Sequence, residues 1–272
     1  MRKTLTNNKH IIKGEFMANK VVAKKAENAT VHASAKTVGE KTKIRGFVEL
    51  IKSSWEIFTQ GWVQTSVLIA IMFAVLFIIG VITFGPIIWT IITYNGKDLF
   101  PTIPTNNIGM LLIGIVLFII VEMFMAVAIE RSVIKTASND KENINASILF
   151  ALKNFLPLMG LLIVEWVMVT IGSIFLIVPG IIIALMYYLI SMVYIAEGKR
   201  GFAVFSRSAE LTKGYRWAIL GRIVLFGLIA SLAFLILSIT IQGSGLVIDF
   251  FIIPLELAYV YSIYEDLVSI KG

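Results

Sequence analysis

PLMGLLIVEWVMVTIGSIFLIVPGIIIALMYYLISMVYIA, residues 157–196, is a 40-residue run with one formally charged side chain, Glu165. About 20 apolar residues cross the hydrocarbon of a bilayer, so a run of this length is two spans rather than one. Pro179-Gly180 sits just past its middle, where a helix loses a backbone donor and the chain reverses easily. Spans are therefore expected at 157–178 and 180–196, with Pro179 and Gly180 as the hairpin corner.

Working outward, four more runs have the same character: 62–84, stopped by Gly85-Pro86; 108–129; 217–241; and 246–264, which follows Gly243-Ser244-Gly245. The fold class read from this pattern is all-α: a polytopic integral membrane protein with six transmembrane helices arranged as three hairpins. Composition agrees, since 58% apolar and 15% charged residues among 272 lie far from a soluble domain, where charged residues make up about 25%. Cysteine is absent, which excludes disulfides and thiol chemistry.

Charge sets the expected orientation. Threaded through six spans, 23 of the 24 Lys and Arg residues fall on one face, including Arg131, Lys135, Lys141 and Lys153 after the second span and Lys199, Arg200, Arg207, Lys213 and Arg216 after the fourth. Lys97 alone falls on the other. The positive-inside bias makes the basic face cytoplasmic, with both chain termini on it. The net charge of +7 thus has a topological origin, and nucleic acid is not an expected partner.

Residues 1–43 hold Lys, Ala, Thr and Asn with few large apolar residues, which is the composition of a disordered basic tail. The domains are then this tail and a six-span region, 44–268. The tail lacks the apolar core of a cleavable signal, so the first span is expected to serve as an uncleaved anchor. Lys13-Gly14-Glu15-Phe16-Met17 can be encoded by a purine-rich ribosome-binding sequence followed by ATG, which makes Met17 the expected translation start.

Ahead of each hairpin lies a segment with helical apolar spacing: Phe47, Leu50, Ile51 and Phe58; Ile144, Ile148, Leu152 and Phe155; Phe202, Phe205, Ala209 and Thr212. Apolar stripes beside basic residues favour the headgroup plane, so each hairpin is expected to be preceded by a cytoplasmic amphipathic helix. The first and third share a residue order, Lys52-Ser53 with Glu56 and Gly61-Trp62 against Arg207-Ser208 with Glu210 and Gly214-Tyr215, a weak internal repeat.

Leu176-Ile177-Val178-Pro179-Gly180-Ile181-Ile182, then Glu197-Gly198, then Arg207-Ser208-Ala209-Glu210-Leu211-Thr212-Lys213-Gly214 follow one another in a recognisable order. This order resembles the membrane domain of the glycerophosphoryl diester phosphodiesterase family and its uncharacterised relatives, over roughly residues 47–267. The resemblance implies a membrane module and does not bring the phosphodiesterase activity, which resides in a separate soluble domain of some relatives.

The inventory for catalysis is poor. The two histidines, His10 and His32, lie in the tail, and there is no H-E-x-x-H, G-x-S-x-G or P-loop sequence. No catalytic residue, metal set or cofactor is expected, and Asp249 reads as a solvated carboxylate near the outer end of the last span. Glu122, Glu165 and Glu256 are different, because ionisable groups within spans are costly and face protein or water. At a rise of about 1.5 Å per residue all three come out about 10–12 Å above the cytoplasmic edge, with Arg222 a turn lower. They are candidates for one polar cluster that takes a cation, a proton or a cationic amphiphile head, with Pro254 freeing carbonyls beside Glu256.

Glu197, Arg207, Ser208, Glu210 and Lys213 form the second candidate group, a contact for a lipid headgroup or a protein partner. Tyr187, Tyr188, Tyr194, Tyr259, Tyr261, Tyr264, Trp62 and Trp217 read as interfacial aromatics. The function expected from these residues is a non-enzymatic module of a prokaryotic cytoplasmic membrane, engaging lipid or a membrane or cytoplasmic protein at its inner face. The alternative is a small transporter or permease built on the glutamate cluster.

Overall fold

The computed structural model describes residues 43–93, 105–140, 142–240 and 244–272. The tail with His10, Met17 and His32, the connection bearing Lys97, Lys141, and the side chain of Asp249 lie outside the described residues. The described chain is all-helical: α1 Phe47–Ile92, α2 Thr105–Ala137, α3 Ile144–Phe175, α4 Ile177–Tyr187, α5 Ile190–Ala196, α6 Phe202–Thr212, α7 Arg216–Thr240 and α8 Ser244–Lys271. Five stretches, Phe47–Trp89, Ile108–Ala137, Ile144–Phe175, Ile177–Ala196 and Arg216–Ile239, are long and apolar enough to cross a membrane. They mark a multi-pass membrane protein.

Two of the three expected interfacial helices are not separate elements. Phe47–Phe58 is the beginning of α1, and Ile144–Phe155 is the beginning of α3. Nothing between those stripes and the spans stops a helix. Pro86 and Pro157 also lie inside helices rather than ending them. Each removes one backbone hydrogen bond, but a chain in hydrocarbon has no water to satisfy the many groups that unwinding would release, so the continuous helix is the cheaper state. The third, α6, is separate because glycines with left-handed backbone bound it: Gly198 (φ 68°) and Gly201 (φ 59°) before it, Gly214 (φ 86°) after.

The expected corner at Pro179-Gly180 moves three residues upstream. Leu176, extended at φ −164° and ψ 146°, separates α3 from α4, and Pro179 occupies the first turn of α4, where a missing N–H costs nothing. Gly172 and Gly180 sit four residues either side of Leu176 and let the two helices close on each other. A Cβ on Gly180 would lie 2.1 Å from Ser173 Oγ, and one on Gly172 would lie 2.6 Å from Ile183 Cδ1.

Arg45–Tyr264 forms the large compact unit, and the described part of a second unit consists of residues 43–44 and Glu265–Gly272. In the second, Ser269 Oγ donates to the Asp266 carbonyl at 2.7 Å. In the large unit the buried side chains gather where α1, α3 and α7 begin and α2 and α5 end. Leu50, Ile129, Leu158, Ile190, Met192, Tyr194, Leu211, Ile219 and Tyr259 are all inaccessible there. Away from this end large apolar side chains point outward, with Trp166 at 75% exposure and Phe175 at 78%, as a lipid-facing surface requires.

Most of the tyrosines expected at the interface belong to the core. Tyr187, Tyr194, Tyr259, Tyr261 and Tyr264 are buried, while Trp217 is exposed. Tyr259 stacks on Phe226 at 4.7 Å between centroids and meets Phe47 edge-on at 6.0 Å, joining α8, α7 and α1. Trp62 of α1 stacks on Phe251 of α8 at 5.1 Å.

Small residues set the spacing of α1 and α2. A Cβ on Gly61 would come within 2.8 Å of Thr136 Oγ1 and 3.0 Å of its Cγ2. Gly61→Ala is expected to lower stability by about 1–3 kcal/mol through overpacking, and Thr136→Ala to recover more than half of that loss. Thermal unfolding of the two single variants and the double variant in detergent checks this; additive losses would mean that the two residues do not meet.

Candidate functional site

The run of residues 180–196, expected as a single span, is divided in the structure between α4 and α5. Leu189, at φ −102° and ψ 16°, separates α4 from α5, and no Gly or Pro is nearby to cause the break. A break at this position releases backbone groups in an apolar surrounding, where an unsatisfied group costs several kcal/mol. Ser208 of α6 meets that requirement. Its hydroxyl donates to the Met186 carbonyl at 2.9 Å and accepts from the Leu189 N–H at 3.3 Å. Thr212 Oγ1 lies within reach of the same Met186 carbonyl, at 3.3 Å, and of the Ser208 carbonyl, at 3.0 Å. Both side chains are fully buried.

The charged members of the same segment form a network. Arg207 Nε donates to Glu197 Oε1 and Oε2, each at 3.1 Å, and its Nη1 donates to Glu210 Oε2 at 3.1 Å. Lys199 Nζ lies 3.3 Å from Glu197 Oε2, and the Tyr264 hydroxyl donates to Glu197 Oε1 at 3.2 Å. Burial opposes the charge on Arg207, but the hydrogen bonds to Glu197 and Glu210 outweigh it and hold the guanidinium above its ordinary range. Lys213 is exposed at the C-cap of α6. Glu197, Arg207 and Glu210 are therefore brought together, and Ser208 is turned away from them into the helix break.

Arg200, not among the expected site residues, ties the loop before α6 to α3. Its Nη1 donates to the Tyr194 carbonyl at 2.9 Å, its Nη2 to Asn154 Oδ1 at 3.2 Å, and its guanidinium lies 3.9 Å from the Tyr194 ring centroid. Near the α2–α3 connection, Arg131 grips Glu142 through Nε and Nη2 at 2.9 and 3.1 Å, and Gln64 donates to the Glu142 carbonyl. An open hollow of about 610 Å³ adjoins this pair, lined by Gln60, Gln64, Thr136, Asn139 and Asn143. Amides and hydroxyls of this kind suit a polar, hydrogen-bonding group.

The expected intramembrane cluster is not assembled. Glu122 and Glu256 are exposed and Glu165 is half-buried, and among the described residues the three carboxylates make no hydrogen bond or ion pair with one another or with Arg222. Equal depth in the membrane does not imply one face, because each residue turns a helix by about 100° and the three helices fix their own rotations. Arg222 Nε and Nη2 donate to the Arg45 carbonyl at 3.1 and 2.9 Å, and Nη1 donates to the Ala218 carbonyl at 2.9 Å. It anchors α7 to the chain that enters α1. Arg45 in turn donates to Ser53 Oγ and to the Ser262 carbonyl, each at 3.1 Å.

Glu130 is the acidic residue that sequence reading missed. It lies one residue past the expected end of span two at Ile129, yet α2 continues to Ala137 and buries it. Its spacing from Met123 and Val127, seven and three residues, was the available sign that it shares their inward face.

No known family model, curated protein or solved structure matches this chain. Ser208→Ala is expected to lower stability by about 1–3 kcal/mol, since it strands buried backbone groups at the α4–α5 break, whereas exposed Glu210→Gln should change it by less than about 0.5 kcal/mol. Denaturation of the purified variants tests the contrast, and equal effects would remove the capping role.

Proposed function

We propose that the protein is a non-enzymatic, six-span module of a prokaryotic cytoplasmic membrane, with both termini inside, that engages lipid headgroups at its inner face through α6. The observation that carries this reading is the construction of α6. One face, with Val204, Phe205, Ser208, Leu211 and Thr212, is buried, and at its start Phe202 is 81% exposed beside Lys199 and Arg200. An exposed aromatic among cations suits insertion into an anionic headgroup layer. The sixth span is the apolar part of α8, and the basic residues around α6 and the α2–α3 connection support the inner assignment. Kinship with the membrane domain of the glycerophosphoryl diester phosphodiesterase family belongs to the same proposal. It is supported by the structural work of Ser208 and Thr212, two residues of the resembling segment.

A permease built on Glu122, Glu165 and Glu256 has less support, because those carboxylates do not meet. The six-span reading has a direct test, since the chain contains no cysteine and single cysteines label cleanly. In right-side-out cells a membrane-impermeant maleimide should label Leu176→Cys and spare Lys199→Cys, and inverted vesicles should reverse the pattern. A dye of environment-sensitive emission on Phe202→Cys should shift to the blue in proteoliposomes containing anionic lipid, and less so at high salt. Emission of the water-exposed dye in both lipids would refute headgroup engagement, and efficient crosslinking of position 202 to another protein would transfer the role to a protein partner.

A further inference from the structure

Glu130 retains 7% exposure, and its Oε1 is buried without a hydrogen-bond partner. It lines a cavity of about 170 Å³ between α2, α3 and α5 whose other walls include Met123, Leu158, Met159 and Leu162, with Ser191 as its polar neighbour. A single water needs about 10–15 Å³ on this measure, so the space exceeds a water site and admits a small head group with several methylenes. The adjacent cation does not serve Glu130: Arg131 points elsewhere, held by both oxygens of Glu142 and lying 4.4 Å from the Phe150 ring centroid.

The cavity shares two wall residues with a neighbouring groove. Met123 and Leu162 also line an open apolar groove of about 840 Å³ along α2 and α3, which continues past Ile119, Trp166 and Ile171. From Glu130 to Ile119 is eleven residues of α2, about 16 Å at a helical rise of about 1.5 Å per residue. One end of this path is a buried acid and the rest is hydrocarbon-like, so polarity and length both match a single alkyl chain carrying one small head.

The sign of the head follows from the acid. A buried carboxylate without a cation is expensive, and an occupant that brings its own positive charge to Oε1 offsets that cost, whereas an anionic head would add to it. We propose that this cavity and groove bind a single-chain amphiphile with an ammonium head, the head against Glu130 and Ser191 and the tail over Met123, Leu162 and Trp166. The site is separate from α6 and does not depend on its role.

The probe is dodecylammonium, compared with dodecanol and dodecanoate, on the full chain in mild detergent with native mass spectrometry and thermal shift. The wild type should bind one dodecylammonium at least 10-fold more tightly than dodecanol, and dodecanoate most weakly. Glu130→Gln should abolish the preference for amine over alcohol, and Leu162→Trp should remove both ligands by filling the shared wall. Glu122→Gln should bind as the wild type does.

A chain brominated at its far end should quench Trp166, and Trp166→Phe should remove that quenching. Equal binding of amine and alcohol to the wild type would overturn the proposal without reference to any variant. Amine preference surviving in Glu130→Gln, or quenching unchanged in Trp166→Phe, would overturn it as well.

Discussion

The hydroxyl of Ser208 is the point on which the described architecture turns. Backbone groups in an apolar environment must find partners within the protein, and a helix interrupted at Leu189 leaves groups that its own ladder does not satisfy. One side chain from a different helix, donating to Met186 and accepting from Leu189, meets that demand. The break lets α5 run on to Glu197, where the carboxylate receives Arg207 from the same α6 that delivers Ser208. Capping and ion pairing thus come from successive residues of one short helix, and α6 has to sit where it does for either to form.

The rest of the large unit is held on similar terms. Lipid removes most of the hydrophobic drive between spans, so association rests on close packing and on polar ties. Close packing appears where glycine meets a partner, as at Gly61 with Thr136 and Gly180 with Ser173. Polar ties collect at the same end as the buried core: Arg222 with the Arg45 carbonyl, Arg131 with Glu142, Arg200 with Tyr194 and Asn154. Basic residues thus fasten the helices at this end, and Phe202 at the head of α6 is left to face outward.

The acidic residues show where linear reading stops. Glu122, Glu165 and Glu256 were grouped by depth, which counting along a helix estimates well, while their side-chain directions depend on helix rotation, which counting does not supply. Glu130 falls just past the expected span end at Ile129 and beside Arg131, yet the two side chains diverge by about 100° on the helix and Glu130 is the buried one. Ser208 was recognised as part of a notable segment, but its partner, a break in an uninterrupted apolar run, had no sequence signature.

The sequence by itself determined the all-helical class, the membrane setting and the boundaries of α6. Hydrophobic runs of span length and glycines able to adopt positive φ are local properties that no neighbour has to complete. Tertiary structure decided the continuity of α1 and α3 through their prolines, the turn at Leu176 instead of Pro179-Gly180, the break at Leu189 and the separation of the glutamates. Each of those is a balance between a local preference and a partner supplied from a distant part of the chain, and the partner's position exists only once the helices have packed.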